Sequence, residues 1–331
     1  MILSSIDLPE FYNLFMVMCM KQSRQQLLVV RPRGFCAGVD RAIAIVDQML
    51  SKVDGQLYVR KEIVHNTAVV DDFRNRGVIF VDELDEVPVG ETVVFSAHGV
   101  SPEVRAHAEQ LELKVVDATC PLVTKVHNRV IRNAYKGRLI VLIGHKGHDE
   151  VVGTMGEAPD EIVLVTKADD ITSIPDPGDR EVYYVTQTTL SIDETVDIVD
   201  ALQARFPDLK GPGRSDICYA TQNRQDGVKR LVEEGISKLL VVGSANSSNS
   251  QRLCEVAIKS GVPAALVGRV AELPEGILSR EGLVGLTAGA SAPEYLVIEI
   301  VNKFRENNWD IRELVVMEED ISFDIPATIK E

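Results

Sequence analysis

Short β-branched runs recur along the chain, each followed by a polar or glycine-rich loop and then a stretch with helical spacing of apolar residues. The strand-like runs are LLVV (27–30), TVVF (92–95), LKVVDA (113–118), RLIVLIG (138–144), EVYYV (181–185), KLLVVG (238–243) and LVGLT (283–287). Runs this continuously apolar are buried on both faces, as in parallel sheets covered by helices. After Cys36, the residues Val39, Ala42, Ile43, Val46, Met49 and Leu50 follow a 3.6-residue period; after Cys120, Val123, Val126, Val130 and Ala134 do the same. Pro121 suits a first helical position, which puts Cys120 at or next to the N-cap. Cys218 opens a third such helix, YATQNRQDGVKRLVEE, whose first turns are more polar.

Three cysteines, each between a strand and a helix and each about one small domain from the next, predict three similar parallel-sheet α/β units. Their boundaries are read as 27–119 (with Cys36), 120–214 (with Cys120) and 215–300 (with Cys218). An N-terminal extension, 1–26, and a C-terminal tail, 301–331, flank them. The breaks IPDPGD (174–179) and KGPGRS (210–215) read as connections. A helix N-terminus is positive, so each cysteine is expected to favour its thiolate form.

Composition narrows the function. The 331 residues carry 35 Lys and Arg against 50 Asp and Glu, a net charge of −15. That balance excludes general nucleic-acid binding, which runs on clustered cations, and leaves room for a small anion in a local polar pocket. Cysteines at 19, 36, 120, 218 and 254 are odd in number and widely spaced, which points to reduced or metal-bound thiols in a cytoplasmic setting. FYNLFMVMCM (11–20) is too short to cross a bilayer, and Asp7 and Glu10 sit where a signal peptide carries positive charge, so no membrane partner is expected. Cys254, among Leu253, Val256, Ala257 and Ile258, reads as a small core residue.

A closed zinc site usually takes four ligands, often in CxxC pairs, and the chain has no CxxC. Three separated thiolates fit an iron–sulfur cluster; spacing alone leaves open three unrelated reduced cysteines. Other polar groups gather in loops that follow strands, where open α/β sheets bind ligands. They include His65, His98, the segment GHKGHDEVVGTMGE (144–157) with His145, His148 and Glu150, then Thr188 and Thr189, Ser247, Ser248 and Asn249, and Ser291. Each has a structural explanation too. Ser101-Pro102 suits a helix start, and Ser191 with Glu194 and Ser291 with Glu294 fit capping boxes. His145 and His148 would need further ligands to hold zinc. Together, hydroxyls, amides and imidazoles beside helix N-termini suit an anion rich in oxygen, such as a diphosphate. No Walker A segment or G-x-G-x-x-G fingerprint is present.

Nine segments in order resemble one family: GFCAGVDRA, EIVHN, FSAHGVSP, VDATCPLVTKVH, GHKGHDEVVGTMGE, TQTTLS, DICYATQNRQ, GSANSSNSQRL and AGASAPE. They are similar to the LytB family of 4-hydroxy-3-methylbut-2-enyl diphosphate reductases, over roughly residues 27–300. The resemblance implies three α/β units around a central cavity, with Cys36, Cys120 and Cys218 ligating a [4Fe-4S] cluster whose fourth iron takes the allylic hydroxyl of the substrate. Two electrons and two protons then remove that hydroxyl as water, giving isopentenyl and dimethylallyl diphosphate. It implies that His65, His98, His148, Ser247, Ser248, Asn249 and Ser291 hold the diphosphate. Glu150 delivers the proton with Thr188 beside it, and Thr189 supports that network. A ferredoxin or flavodoxin is the implied electron donor. Two other classes stay open: a cluster-bearing redox sensor that turns nothing over, for which Glu150 has no use, and a zinc phosphohydrolase built on His65, His98, His145 and His148, which leaves the helix-opening cysteines unexplained.

Overall fold

The computed structural model describes residues 25–213 and 215–326. The expected extension 1–26, apart from its last two residues, and Cys19 lie outside the described residues.

Among the described residues, twelve strands form three sheets in which every pairing between strands is parallel. The first holds β1 (Gln26–Arg31), β9 (Lys238–Val242), β10 (Ala264–Val267), β11 (Leu283–Ala288) and β12 (Asp310–Val315), in the order β10-β9-β11-β1-β12. The second holds β2 (Leu57–Arg60), β3 (Ile79–Val81), β4 (Thr92–Phe95) and β5 (Lys114–Asp117), ordered β3-β2-β4-β5. The third, β7-β6-β8, is built from β6 (Leu139–Ile143), β7 (Ile162–Val165) and β8 (Val182–Thr186). Helices α1 (Ala37–Lys52), α2 (Thr67–Asn75), α3 (Pro102–Gln110), α4 (Pro121–Ala134), α5 (Asp149–Gly156), α6 (Ile192–Arg205), α7 (Tyr219–Glu233), α8 (Ser248–Lys259) and α9 (Glu294–Glu306) connect and cover them.

The continuous apolar runs are central strands. All of TVVF in β4 and all of LIVLI in β6 are buried. Alternation within β1 shows why such strands need two coats. Leu27 and Val29 pack with Leu296, Ile300 and Phe304 of α9. Leu28 and Val30 point the other way, onto Val228 and Leu231 of α7 and Leu253 of α8. Each fully buried aliphatic side chain contributes about 1.5–3 kcal/mol relative to exposure.

Sheet membership departs from the linear division. β1, expected to open the unit 27–119, pairs instead with β11 and β12. The sheet that carries the Cys218 unit is thus completed by both ends of the described chain. Apolar periodicity marks a strand but says nothing of its partner, and β1 hands its chain to α1, which packs on the second sheet's core. The tail, which carries no motif, contains β12. Its sequence, DIRELV, is charged because β12 is an edge strand with most residues partly or fully exposed. No helix among the described residues is long and apolar enough to cross a membrane.

Candidate active site at the meeting of three helix starts

In parallel α/β units the loops after the strands share one edge, and here those edges converge. Cys36 is the N-cap of α1, Cys120 of α4 and Cys218 of α7. In each case the cysteine carbonyl accepts the first helical bond, from Asp40 N–H (2.9 Å), Thr124 N–H (3.0 Å) and Gln222 N–H (3.1 Å). The three side chains line one cleft. Gly38 explains how two of the sulfurs approach. A Cβ at this position would lie 2.7 Å from Cys120 Sγ and 3.9 Å from Cys36 Sγ, so any side chain there would push a sulfur aside.

The thiols do not ionise as expected. Burial pushes Cys120 up to about 12 and Cys218 up to about 11, and it raises Cys36 as well. The backbone N–H groups at the helix starts pull the other way and lose to desolvation. The charges the three would carry add to the cost, because Cys36 and Cys218 each disfavour a Cys120 thiolate. A buried cation is therefore needed to make thiolates of all three, and its binding would release their protons.

Across the cleft sits a carboxyl group shielded from water. Glu150, on the first turn of α5, is 2% exposed. Thr188 N–H donates to its Oε1 at 2.6 Å and the Thr188 hydroxyl lies 3.0 Å from Oε2. Burial raises Glu150 to about 7 even though both Thr188 bonds favour the carboxylate. Three imidazoles stand beside it. The rings of His65 and His98 stack with centroids 3.9 Å apart, and His148 meets them edge-on at 5.2 and 5.8 Å. Burial, then repulsion from the neighbouring imidazoles, holds His98 well below the usual range and His148 at about 3. Both are neutral. The His148 Nδ1 accepts from Glu150 N–H at 3.2 Å, so in the neutral ring Nε2 carries the proton and can donate.

Hydroxyls complete the lining. Thr189 Oγ1 lies 3.2 Å from Ser248 Oγ, and Ser247 caps α8 while accepting from the Ser250 hydroxyl at 3.0 Å. Ser291 does not form the expected capping box with Glu294. Pro293 is the N-cap of α9, and the Ser291 hydroxyl donates to His65 O at 2.9 Å. Asn249 is 4% exposed, yet neither its Oδ1 nor its Nδ2 has a hydrogen-bond partner among the described residues. A buried carboxamide left so is poised for a ligand's polar atoms. All thirteen candidates read from the sequence line this cleft. His145, the remaining imidazole of the zinc alternative, is not among its lining residues, and its backbone N–H is held by Gln187 Oε1 at 3.0 Å.

Comparison with known proteins bears on what the cleft is. Residues 27–305 match the LytB protein family. The chain belongs to the LytB family. Among curated relatives, a 4-hydroxy-3-methylbut-2-enyl diphosphate reductase of Azoarcus sp. (strain BH72) is 50% identical over 307 residues, covering 92% of this chain and 98% of the relative. One from Ralstonia nicotianae is 52% identical over 306 residues, covering 92% and 94%. Among solved structures, the E-1-hydroxy-2-methyl-but-2-enyl-4-diphosphate reductase of Plasmodium falciparum superposes with a TM-score of 0.90 at 36% identity, over 93% of this chain and 97% of that one. A second, described as the terminal enzyme of the non-mevalonate pathway, gives 0.62 at 30% identity, over 85% and 99%.

This LytB-family chain also lines its cleft with residues that the sequence reading passed over. Tyr219 follows Cys218, and its Oη accepts from Ala37 N–H at 3.1 Å, tying the Cys218 helix to the start of the Cys36 helix. Phe323 reaches the cleft from the tail. Behind them Arg224, fully buried, donates to Gly34 O at 2.7 Å and to Glu319 Oε1 at 3.0 Å. One guanidinium thus joins the Cys36 loop, the Cys218 helix and the tail. A lone arginine in a polar helix carries no signal of that burial. Asp324 O, further along the tail, accepts from Arg41 Nε at 2.9 Å.

Proposed function

We propose that the chain is a 4-hydroxy-3-methylbut-2-enyl diphosphate reductase. The observation that carries the reading is the convergence of three sulfur-bearing helix starts and one buried, proton-holding carboxyl on a single cleft. The reaction breaks the allylic C–O bond. Two electrons and two protons enter; the hydroxyl leaves as water, and a hydrogen replaces it on the allylic fragment to give isopentenyl or dimethylallyl diphosphate.

Three partly buried thiols, with no fourth cysteine lining the cleft among the described residues, and a glycine where a Cβ would collide, suit a cluster with one iron lacking a protein ligand. Cys36, Cys120 and Cys218 would hold a [4Fe-4S] cluster, which when bound supplies the electrons and a Lewis-acidic iron for the leaving oxygen. Glu150 keeps its proton at neutral pH because burial has raised it to about 7, and it gives that proton to the departing hydroxyl. Thr188 orients the carboxyl in both states, since its hydroxyl can donate to the carboxylate or accept from the acid. The His148 Nε2–H, the hydroxyls of Ser247, Ser248 and Ser291, the Asn249 carboxamide and the start of α8 offer donors to the diphosphate. His65, His98 and Thr189 complete that side. Phe323 and the Glu319–Arg224 link keep the tail against the cleft and water out of it. The electron donor is a ferredoxin or flavodoxin, and the compartment is the cytoplasm.

The test is anaerobic turnover of the allylic diphosphate with a chemical one-electron reductant. Both five-carbon diphosphates are the expected products. Release of inorganic phosphate or pyrophosphate in their place would contradict the reading.

A further inference from the structure

Two histidines of the cleft and an aspartate next to them have a chemistry that proton delivery and anion binding leave unused. His65, His98 and Asp149 each offer a donor atom, and these atoms lie within 4.8 Å of one another. His65 Nε2 is 4.0 Å from Asp149 Oδ2, and the two imidazoles are stacked. The outer nitrogens are already engaged. Glu62 Oε2 lies 3.3 Å from His65 Nδ1, and Asn246 Nδ2 donates to the same oxygen at 2.6 Å, holding the carboxylate in place. Ser96 Oγ lies 3.2 Å from His98 Nδ1. When these partners accept the Nδ1 protons, both Nε2 atoms present lone pairs. A carboxylate behind a histidine is the arrangement that orients imidazoles on metals and raises their basicity.

We propose that His65, His98 and Asp149 form a site for a divalent transition cation of the zinc type, and that this cation and the diphosphate exclude one another. Two lone pairs and a carboxylate turned together repel, and a cation between them turns that repulsion into attraction. Bonds of about 2.0–2.2 Å to one tetrahedral ion require donors roughly 3.3 Å apart, so the 4.0 Å pair needs only a small side-chain adjustment. Imidazole with one carboxylate favours zinc or cobalt over magnesium or calcium, which take mainly oxygen. The exclusion follows from the atoms: an Nε2 that gives its lone pair to a metal cannot donate a proton to a phosphate oxygen. That second half rests on the diphosphate reading above, while the site itself does not. Asp149 separates the two roles, because a carboxylate ligates a cation and offers nothing to a diphosphate.

The experiment uses anaerobically purified protein with its natural complement of iron, zinc alone as the first probe and inorganic pyrophosphate as the second. Equilibrium dialysis and zinc K-edge absorption should show zinc in a nitrogen and oxygen shell with imidazole scattering. Asp149→Asn should weaken zinc binding at least tenfold without weakening pyrophosphate binding, since it removes a negative charge beside the anion. Glu62→Gln, which removes only the group behind His65, should weaken zinc by about 10–100-fold. With free zinc held constant by a metal buffer, because pyrophosphate itself chelates zinc, saturating pyrophosphate should lower the zinc bound to the protein. Sulfur in the zinc shell, or undiminished affinity in Asp149→Asn, would overturn the site; zinc retained under saturating pyrophosphate would overturn the exclusion. Zinc binding as described, in a protein that ignores pyrophosphate, would support the site and count against the diphosphate reading.

Discussion

Glu150→Gln is expected to lower turnover by roughly 10²–10⁴ while leaving the iron content unchanged. The glutamine side chain has nearly the same shape, and its carbonyl can still accept the Thr188 N–H that reaches Glu150 Oε1 at 2.6 Å. What disappears is the acidic proton. The native enzyme should lose turnover as pH rises through about 7, where the buried carboxyl ionises, and that limb should be missing from the residual activity of the variant. Stability carries the same sign. A carboxyl raised from the usual 4.5 to about 7 by burial contributes most below 4.5, and its contribution is lost as pH climbs through about 7. The glutamine variant should therefore be at least as stable as the parent above pH 7. Turnover profiles with parallel iron determinations check both points; full activity in the variant would remove Glu150 from the reaction.

The second large effect belongs to sulfur. Cys36→Ser, Cys120→Ser and Cys218→Ser should each lose most of the bound iron, and activity with it. A serine hydroxyl is a harder, far weaker acid than a thiol, and burial already pushes the thiols at 120 and 218 up to about 12 and 11. Cys254→Ala should keep both iron and activity. Cys254 lies within α8, partly buried against the core of the first sheet, away from the cleft lining. Iron analysis of the four anaerobically purified variants decides the matter. Equal iron in Cys36→Ser and Cys254→Ala would contradict it.

Local features were the legible ones. The strand at TVVF, the N-cap cysteines and the Ser101-Pro102 helix start each depend on neighbours in sequence, and the structure has them where spacing predicts. The gathering of the candidate residues follows from a rule of parallel sheets, that loops after strands share an edge. Features set by distant partners were not legible. β1 joins β11 and β12 because of packing between chain ends, and Ser291 bonds to His65 O because two loops meet. The thiols were misjudged for a related reason. A helix start is visible in sequence, whereas the burial that outweighs it is a property of the whole cleft. Arg224 shows the same limit, since its polar surroundings in NRQDG give no hint of a fully buried guanidinium.

The most direct measurement is Mössbauer spectroscopy of the anaerobically prepared, ⁵⁷Fe-enriched protein with and without the allylic diphosphate. Three sulfur ligands around a four-iron core predict one iron distinct from the other three, and a change confined to that iron when the diphosphate is added. Four equivalent irons, unchanged by the diphosphate, would contradict the account.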